Sequence, residues 1–348
     1  MSLVLPLLLC AALGSEKVEL RFAPAEGTKV RRTIVLDQAL VMQELKSITP
    51  AGVQTSQDQI QITSKQTLRT LDEYRKVADG RPTLLQRRFD AVSWDGTFAT
   101  GGLKEPIKGV SPLAGTSVVY TWIPEDSDYG KYYDAREAPE EELLFLGEDL
   151  ELETLLPQLP VAPGDSWEVK PDALLPVLAP CGRLDLRLEA KRARTNLLRA
   201  LRSGLSGNYG EYFGGESTGQ CKATLAVVAG TADHPLAEIE LEVTLENRVD
   251  QRALQQAQLS GPELANGFLC KSAPVTWNFE GKGKLVWDLH AHRAASLELQ
   301  GTQKVKMEIE LEVRGKPAMT QDMTLAGGLS FDWKIEELQG PSAPQGQK

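Results

Sequence analysis

Residues 304–314 read Lys-Val-Lys-Met-Glu-Ile-Glu-Leu-Glu-Val-Arg, an unbroken alternation of charged and apolar side chains. Successive side chains of a β-strand point to opposite faces, so this alternation predicts a strand with one apolar and one charged face. A helix would mix both kinds of side chain on every side. The stretch therefore predicts antiparallel sheet with one face in a core and the other in water.

The same alternation extends in both directions, over the whole run from Trp277 to Glu336. We expect successive strand segments here, because glycine, proline and polar residues interrupt the run. Turns are expected at 281–283, 290–295, 315–317 and 327–328. The run predicts an antiparallel meander.

The N-terminal third has a similar pattern. Strands are expected at Val18–Phe22, 29–46, 53–72, 83–94 and 116–123, and again at 237–246 after the middle of the chain. The turn residues 25–28 favour a hairpin between the first two strands. Strands this long need a large twisted sheet, and a wide sheet usually curls. We therefore predict a mainly β fold with a large curved antiparallel sheet, a half-barrel or barrel-like structure, and two β-meanders that a duplication could relate.

The middle of the chain differs from both flanks and predicts a helical insert. The acidic, leucine-rich residues 138–156 favour one or two short helices, and a further short helix is expected at 172–178. From about Leu184 to Leu205, apolar residues fall three or four apart and basic residues take the other side, as in an amphipathic helix. Packing of its apolar stripe across the sheet accounts for this pattern better than a membrane surface does. Leu186, Leu197 and Leu201 are the predicted lining of an apolar pocket.

Composition limits the function classes. The 348 residues are 41% hydrophobic and 25% charged, which is ordinary for a globular protein. A net charge of -10 argues against a general nucleic-acid partner, because that kind of binding needs a basic surface. No segment beyond the N terminus has the length of apolar residues that an integral membrane helix requires.

The first residues predict export. An apolar run from Leu3 to Leu13 is too short to span a bilayer and ends in small residues, so we expect a signal peptide cleaved after Gly14. Leu9 precedes Cys10 where lipid modification needs a small residue, which disfavours a lipoprotein. An outer-membrane barrel would also use a signal and alternating strands, but an aromatic content of 6% and the polar tail disfavour it.

The expected organisation has five parts: the signal peptide 1–14, the N-terminal β region 15–137, the helical middle 138–218, the C-terminal meander 219–338 and the tail 339–348. The tail is rich in Gly, Pro, Ser and Gln and should be disordered. After signal removal, Cys181, Cys221 and Cys270 remain. An oxidising compartment allows any one of three pairings, and small buried thiols are the alternative.

Gly164-Asp165-Ser166 has the letters of the nucleophile block of GDS-type esterases. In those enzymes the serine lies near the chain start and a late Asp-x-x-His supplies the base. Here the triplet lies mid-chain behind two prolines, and none of the three histidines follows an aspartate at that spacing. We expect a tight turn from which Trp167 enters the core.

Two other groups of residues are candidates for metal binding. Asp288, His290 and His292 would share one face of a straight strand, but they fall at a predicted hairpin and are expected to be solvated turn residues. Asp126, Asp128 and Asp134 with Gly130 faintly resemble a calcium loop. The glycine stands one position too early for an EF-hand, so a solvated charged face is the expected structure.

Three stretches of the sequence are similar to a known group of proteins: Leu155-Leu156-Pro157, Val161-Ala162-Pro163-Gly164-Asp165-Ser166-Trp167, and the strand–turn–strand run 281–299. On these stretches, the chain resembles a group of uncharacterised exported bacterial β-rich proteins with a V-x-x-G-D-x-W turn. The resemblance implies export and an all-β core. It transfers no catalytic residue and no cofactor.

These observations favour an exported, non-catalytic binding or scaffolding protein of the bacterial envelope, periplasmic or extracellular. We expect an apolar ligand, lipid-like or another envelope component, between the sheet and the helices, with no cofactor and no metal. The half-barrel carriers of lipoproteins have this layout, which is an analogy of fold only. The alternative is an exported hydrolase of unrecognised type, for which acid pairs such as Asp126 and Asp128 could serve.

Overall fold

The computed structural model describes residues 16–56, 60–135, 143, 146–148, 152–182, 184, 186–189, 215–231, 233–259, 268–313 and 318–338. Within these residues it contains fifteen strands and two short α-helices. The strands are β1 Lys29–Thr49, β2 Gly52–Thr55, β3 Gln61–Ala78, β4 Arg81–Thr100, β5 Leu103–Val110, β6 Ser117–Ile123, β7 Asp128–Tyr133, β8 Ser166–Val169, β9 Arg187–Glu189, β10 Glu216–Thr231, β11 His234–Asp250, β12 Phe268–Ser272, β13 Pro274–Asp288, β14 Arg293–Val313 and β15 Met319–Glu337. The helices are α1 Leu175–Leu178 and α2 Arg252–Leu259, and short 3-10 turns lie at Glu153–Leu155 and Pro171–Leu174.

All described strands belong to one antiparallel sheet, which confirms the predicted mainly β fold. Its order is β7-β6-β4-β3-β1-β15-β14-β13-β11-β10-β8. Outside this order, β2 pairs with β1, β5 with β4, β9 with β5, and β12 with β14. The sheet is open, since β7 and β8 lie at opposite ends of this order. The N-terminal and C-terminal β regions meet where β1 pairs with β15, from Val30 opposite Glu337 to Ile48 opposite Thr320.

Residues 304–313 of the alternating stretch form the second half of β14, as predicted, and Arg314 lies outside the described residues. Its apolar side chains Val305 and Met307 are buried, while Lys304 and Lys306 are exposed. We call the face of the sheet on which the buried side chains lie its inner face. The inner face of β14 continues across the register into β15, where Met307 lies opposite Met323 and Leu299 opposite Phe331.

Two predicted turns are wrong, because the glycines at 281–283 and 327–328 lie inside continuous strands. Gly281 and Gly301 face each other on β13 and β14, and Gly327 lies on β15. A Cβ atom at Gly301 would stand 2.1 Å from the carbonyl oxygen of Glu280, and one at Gly327 would stand 1.7 Å from that of Ala39. Neighbouring strands therefore approach too closely here for any side chain, and glycine permits sheet curvature instead of chain reversal.

The turn expected at 290–295 is confirmed in position, since β13 ends at Asp288 and β14 begins at Arg293. The turn expected at 315–317 falls outside the described residues. The short helix expected at 172–178 is confirmed as a 3-10 turn followed by α1.

The hairpin expected between Val18–Phe22 and β1 is wrong. Val18 instead forms an isolated antiparallel bridge with Val161, with hydrogen bonds of 2.8 and 3.0 Å between the two backbones. Leu20 and Phe22 are buried in the main core cluster. The N-terminal segment therefore bonds to the middle of the chain at Val18, while the Phe22 ring packs edge-on against Tyr74 of β3.

The helix expected from Leu184 is wrong at its start. Residues Arg187–Glu189 form β9, which pairs with Lys108, Gly109 and Val110 of β5. Leu184 and Leu186 are buried at every second position, which is strand spacing. The remainder of that expected helix lies outside the described residues, as does most of 138–156.

Candidate functional site

The inner face of the sheet is covered in part by the middle of the chain. Leu155, Leu174, Leu178 and Leu186 of this middle region belong to the same buried cluster as the inner side chains of β1, β3 and β4. Where the stretch 179–182 meets Ile34 and Leu68, the enclosed cavity is only about 10 Å³. A cavity of that size holds one water at most, so no ligand fits at this contact.

Leu186, one of the three predicted pocket residues, is 4% exposed and packs into the core. Leu197 and Leu201 lie outside the described residues. The structure therefore places the one described member of this set in a packed interior and not in a cavity.

A buried ionic cluster connects three strands to the middle of the chain. Asp72 on β3 lies between Arg32 of β1 and Arg87 of β4, and all three side chains are at most 1% exposed. Arg87 donates from Nε and Nη2 to the Asp72 carboxylate at 2.8–3.1 Å, a bidentate arrangement. Arg32 Nη2 lies 3.0 Å from Asp72 Oδ2.

Arg87 also reaches out of the sheet. Its Nη2 donates to the carbonyl oxygen of Glu148 at 2.6 Å, and its Nη1 donates to that of Gly147 at 3.1 Å. The same Nη1 lies 3.2 Å from Cys181 Sγ. One guanidinium thus joins β3 to two separate stretches of the middle region, so the cluster fixes how that region lies on the inner face.

Charge balance explains the ionisation of the cluster. Burial by itself would raise the pKa of Asp72, but the charges of Arg32 and Arg87 and the hydrogen bonds from Arg87 outweigh burial and lower the pKa below its ordinary value. The carboxylate is therefore ionised at neutral pH. The backbone carbonyls of Gly147 and Glu148 and the ring of Tyr120, 5.3 Å from the Arg87 guanidinium carbon, further stabilise the positive charge of Arg87.

One end of the inner face is rich in methionine. The chain has five methionines, and the four that follow Met1 all lie on β1, β14 and β15. Met307 stands directly opposite Met323, and Met323 stands opposite Leu45 on β1. We call this group the methionine patch; it consists of Met42, Leu45, Met307, Ile309, Met319 and Met323.

The methionine patch is only partly covered. Met42 and Met307 are 8% and 6% exposed, whereas Leu45, Met319 and Met323 are half-buried. Ile309 contacts both the main core cluster and the small cluster around Leu311. Methionine side chains are flexible and polarisable, so a partly open methionine surface adapts to apolar groups of different shapes.

Sequence reasoning did not single out this patch. Its members on β1 lie more than 260 residues before those on β14 and β15, and the pairing of β1 with β15 brings the two groups together. The usable signal was compositional, because three of the four methionines fall within 307–323.

The Gly164-Asp165-Ser166 triplet forms the expected turn. Asp165 Oδ2 accepts a hydrogen bond from the Ala162 amide at 2.9 Å, and the Ser166 hydroxyl lies 2.9 Å from that of Thr224. Trp167 Nε1 donates to the carbonyl oxygen of Leu155 at 2.9 Å. Both polar side chains of the triplet are thus occupied in turn and strand contacts.

The two groups of metal candidates are not assembled into sites. Asp288 Oδ1 accepts from the amides of His290 and Ala291 at 2.9 and 2.8 Å, which is the turn arrangement expected for it. Asp126 and Asp128 lie at the tip of the β6–β7 hairpin, while Asp134 lies beyond the far end of β7 and accepts from Gln86. Among the described residues, no group of three or more His, Cys, Asp or Glu side chains could hold a metal ion.

The cysteines Cys181, Cys221 and Cys270 are buried and form no disulfide with one another. Burial raises the pKa of Cys221 to about 11, and Glu168 adds to this effect. Burial also raises the pKa of Cys270. Cys221 and Cys270 are therefore protonated at neutral pH and pack as small apolar residues.

No family model matches the chain, and no curated protein matches it. Among solved structures, it is similar to an outer membrane channel from Pseudomonas putida F1, at 8% identity and a TM-score of 0.23 over 92% of this chain and 99% of that one. It is also similar to lipovitellin, at 8% identity and a TM-score of 0.24 over 92% of this chain and 26% of that one. OpdQ of Pseudomonas aeruginosa is 8% identical at a TM-score of 0.18, over 89% of this chain and 99% of that one.

TM-scores this low describe sheet-rich chains in general and say nothing about what this chain does. A search of the described residues finds no helix with the length and apolar content needed to cross a membrane.

Proposed function

We propose that this chain is an exported, non-catalytic binding protein of the bacterial envelope, which holds an apolar, lipid-like ligand on the inner face of its curved sheet. The observation that supports this most directly is the methionine patch. It is the part of the inner face where apolar side chains from three strands remain half-buried although their neighbours along the same strands are fully covered.

Energetics favour an apolar ligand at this position. Covering apolar surface stabilises a complex by roughly 25 cal/mol per Å². The half-buried side chains of the methionine patch, on β1, β14 and β15, offer apolar surface that a ligand can cover. The contact between the sheet and residues 179–182 is already closed. We therefore place the ligand at the methionine patch and not beneath Leu186.

A titration with a dansyl-labelled fatty acid tests the proposal. Binding to the patch should raise the dansyl fluorescence and saturate. Met323→Glu places a carboxylate among apolar side chains, so we expect it to weaken binding by about tenfold or more.

Val41→Glu is the matched control. Val41 is next to Met42 but 39% exposed on the opposite face of β1, so this variant adds the same charge without touching the patch. Its affinity for the probe should equal that of the unmodified chain. Absence of saturable fluorescence, or equal effects of the two variants, would refute the proposal.

A further inference from the structure

An open groove of about 810 Å³ lies along the terminal strand β8. Its lining comes from three stretches of the chain, 154–161, β8 with Lys170, and 172–176. All three stretches belong to the described residues, and the groove lies at the end of the sheet order, separate from the methionine patch. The turn 162–165 connects the first stretch to β8.

Among the described strands, none pairs with the edge of β8 that faces this groove. Its other edge pairs with β10, where Trp167 lies opposite Ala223 and Val169 opposite Cys221. Next along the ladder, Leu225 donates to the carbonyl oxygen of Asp165 and accepts from Gly164.

Hydrogen-bonded and non-hydrogen-bonded pairs alternate in an antiparallel ladder. Because Leu225 bonds toward this side of β10, the next bonded pairs are those of Trp167 and Val169. Ser166 and Glu168 therefore direct their amide and carbonyl groups away from β10, and no described residue bonds them. This is the edge that a further strand can pair with.

The side chains around this edge are suited to an apolar segment. Leu159 is 75% exposed, more than any other large hydrophobic residue in the described part of the chain. Leu156, Pro157 and Pro176 are half-buried in the lining. The Trp167 indole is held by its hydrogen bond to Leu155, so the lining is fixed and not collapsed.

The charged residues of the groove are mainly acidic. Of the described residues that line it, Glu168 and Asp172 are acidic and only Lys170 is basic, and Asp165 precedes β8. Within the described ranges, Glu168 and Asp172 form no ion pair. An incoming segment with basic residues would complement these carboxylates, while an acidic one would be repelled.

We infer that this groove binds an extended peptide segment of a partner protein, which adds as a strand to β8 and has apolar residues alternating with lysine or arginine. Main-chain bonds to Ser166 and Glu168 supply affinity, and the pockets around Leu159 and Trp167 select the apolar side chains. This inference does not depend on the apolar ligand proposed above, because the two surfaces share no residue.

The test uses the full chain and a fluorescein-labelled peptide in which valine alternates with lysine, read by anisotropy. We expect saturable binding that falls as salt rises. Leu159→Ser removes an exposed apolar side chain without adding charge, so it should weaken binding by about tenfold, and hydrogen exchange should slow at the Ser166 and Glu168 amides. The same peptide with its main-chain amides N-methylated keeps its valine side chains and lysine charges but lacks the donors that pair with β8, so it should not bind.

Val53→Ser is the matched control, since Val53 is 61% exposed on β2, outside the groove. Its peptide affinity should be unchanged. Failure of the valine–lysine peptide to saturate, equal binding of the N-methylated peptide, or equal loss in both variants would overturn the inference. So would self-association of the chain, or binding of the fatty-acid probe, that Leu159→Ser abolishes, because those results would assign the groove to a second copy or to a small apolar ligand.

Discussion

At the scale of single residues, the adjacent glycines Gly327 and Gly328 differ in how much space a side chain would have. A Cβ at Gly327 would stand 1.7 Å from the Ala39 carbonyl oxygen, whereas one at Gly328 would meet nothing within 4 Å. Gly327→Ala should therefore lower the free energy of unfolding by about 1–3 kcal/mol or more, since the two strands must separate to accept it. Gly328→Ala should change it little.

Urea denaturation of the two variants measures this difference. Both glycines lie in β15, so intrinsic strand propensity changes equally in both and only the close approach differs. Equal stabilities for the two variants would show that the sheet does not bend at Gly327 as described.

Asp72 gives the fold a pH dependence with a defined sign. Burial opposes ionisation, but Arg32 and Arg87 outweigh it, so the pKa of the folded carboxyl lies below its unfolded value. The stabilisation by ionised Asp72 is then complete above about pH 4 and is lost as the pH falls through the lower, folded pKa.

Asp72→Asn tests that sign. At pH 7 it should cost about 3–5 kcal/mol of stability, because two buried arginines lose the carboxylate between them. At about pH 3 the difference in unfolding free energy between the variant and the unmodified chain should narrow, since Asp72 of the unfolded unmodified chain is then largely protonated and part of the stabilisation by the ionised form is lost. A gap that is constant with pH, measured by urea denaturation, would contradict the account.

Cys221 should react only in the unfolded chain. Its pKa of about 11 leaves almost no thiolate at neutral pH, and the side chain is inaccessible on β10. A disulfide reagent such as dithionitrobenzoate should label it slowly in buffer and fast in denaturant. Labelling of Cys221 at the rate of a free exposed thiol in buffer would show that β10 is not packed as described.

At the scale of elements, the period of two predicted the strands well and the connections poorly. The alternation in 304–314 and 237–246 fixes strand identity, because a shift of one residue would put charged side chains in the core. Glycine was ambiguous, since the same residue serves a turn and a sharply curved strand. Only the backbone distances at Gly301 and Gly327 distinguish the two uses.

The start of the expected helix at Leu184 shows a different failure. Leu184, Leu186 and Leu188 alternate with Asp185, Arg187 and Glu189, which is the same period-two signal that predicted β14. Leucines and arginines further along suggested helical spacing, and that longer window concealed the short strand β9. The ionic cluster was not predictable from spacing, since Arg32, Asp72 and Arg87 meet only through the register of three strands.

Arg87 also predicts how the middle region is held. Arg87→Lys keeps the charge but loses the fork that reaches Asp72, Gly147 and Glu148 together. Hydrogen exchange should become faster at residues 146–148 and 179–182, while the distant strands β13 and β14 keep their protection. Uniform acceleration through β13 and β14 would mean that the cluster supports the whole sheet and not this contact.

At the scale of the whole molecule, one open sheet contains both β regions. The pairing of β1 with β15 joins the first strand to the last, so the chain's two halves share a single inner face. That pairing also creates the methionine patch from residues at opposite ends of the sequence. The curved sheet and its apolar inner face were predictable from sequence, whereas the places where that face stays open were not, because they depend on the register.

Mass spectrometry of lipids extracted from the purified, full-length chain tests the central claim most directly. An apolar molecule bound at the methionine patch should co-purify with the unmodified chain and with Val41→Glu, and should be depleted by about tenfold in Met323→Glu. An apolar molecule retained equally by all three chains, or absent from all of them, would contradict the claim that the inner face of this sheet binds an apolar ligand.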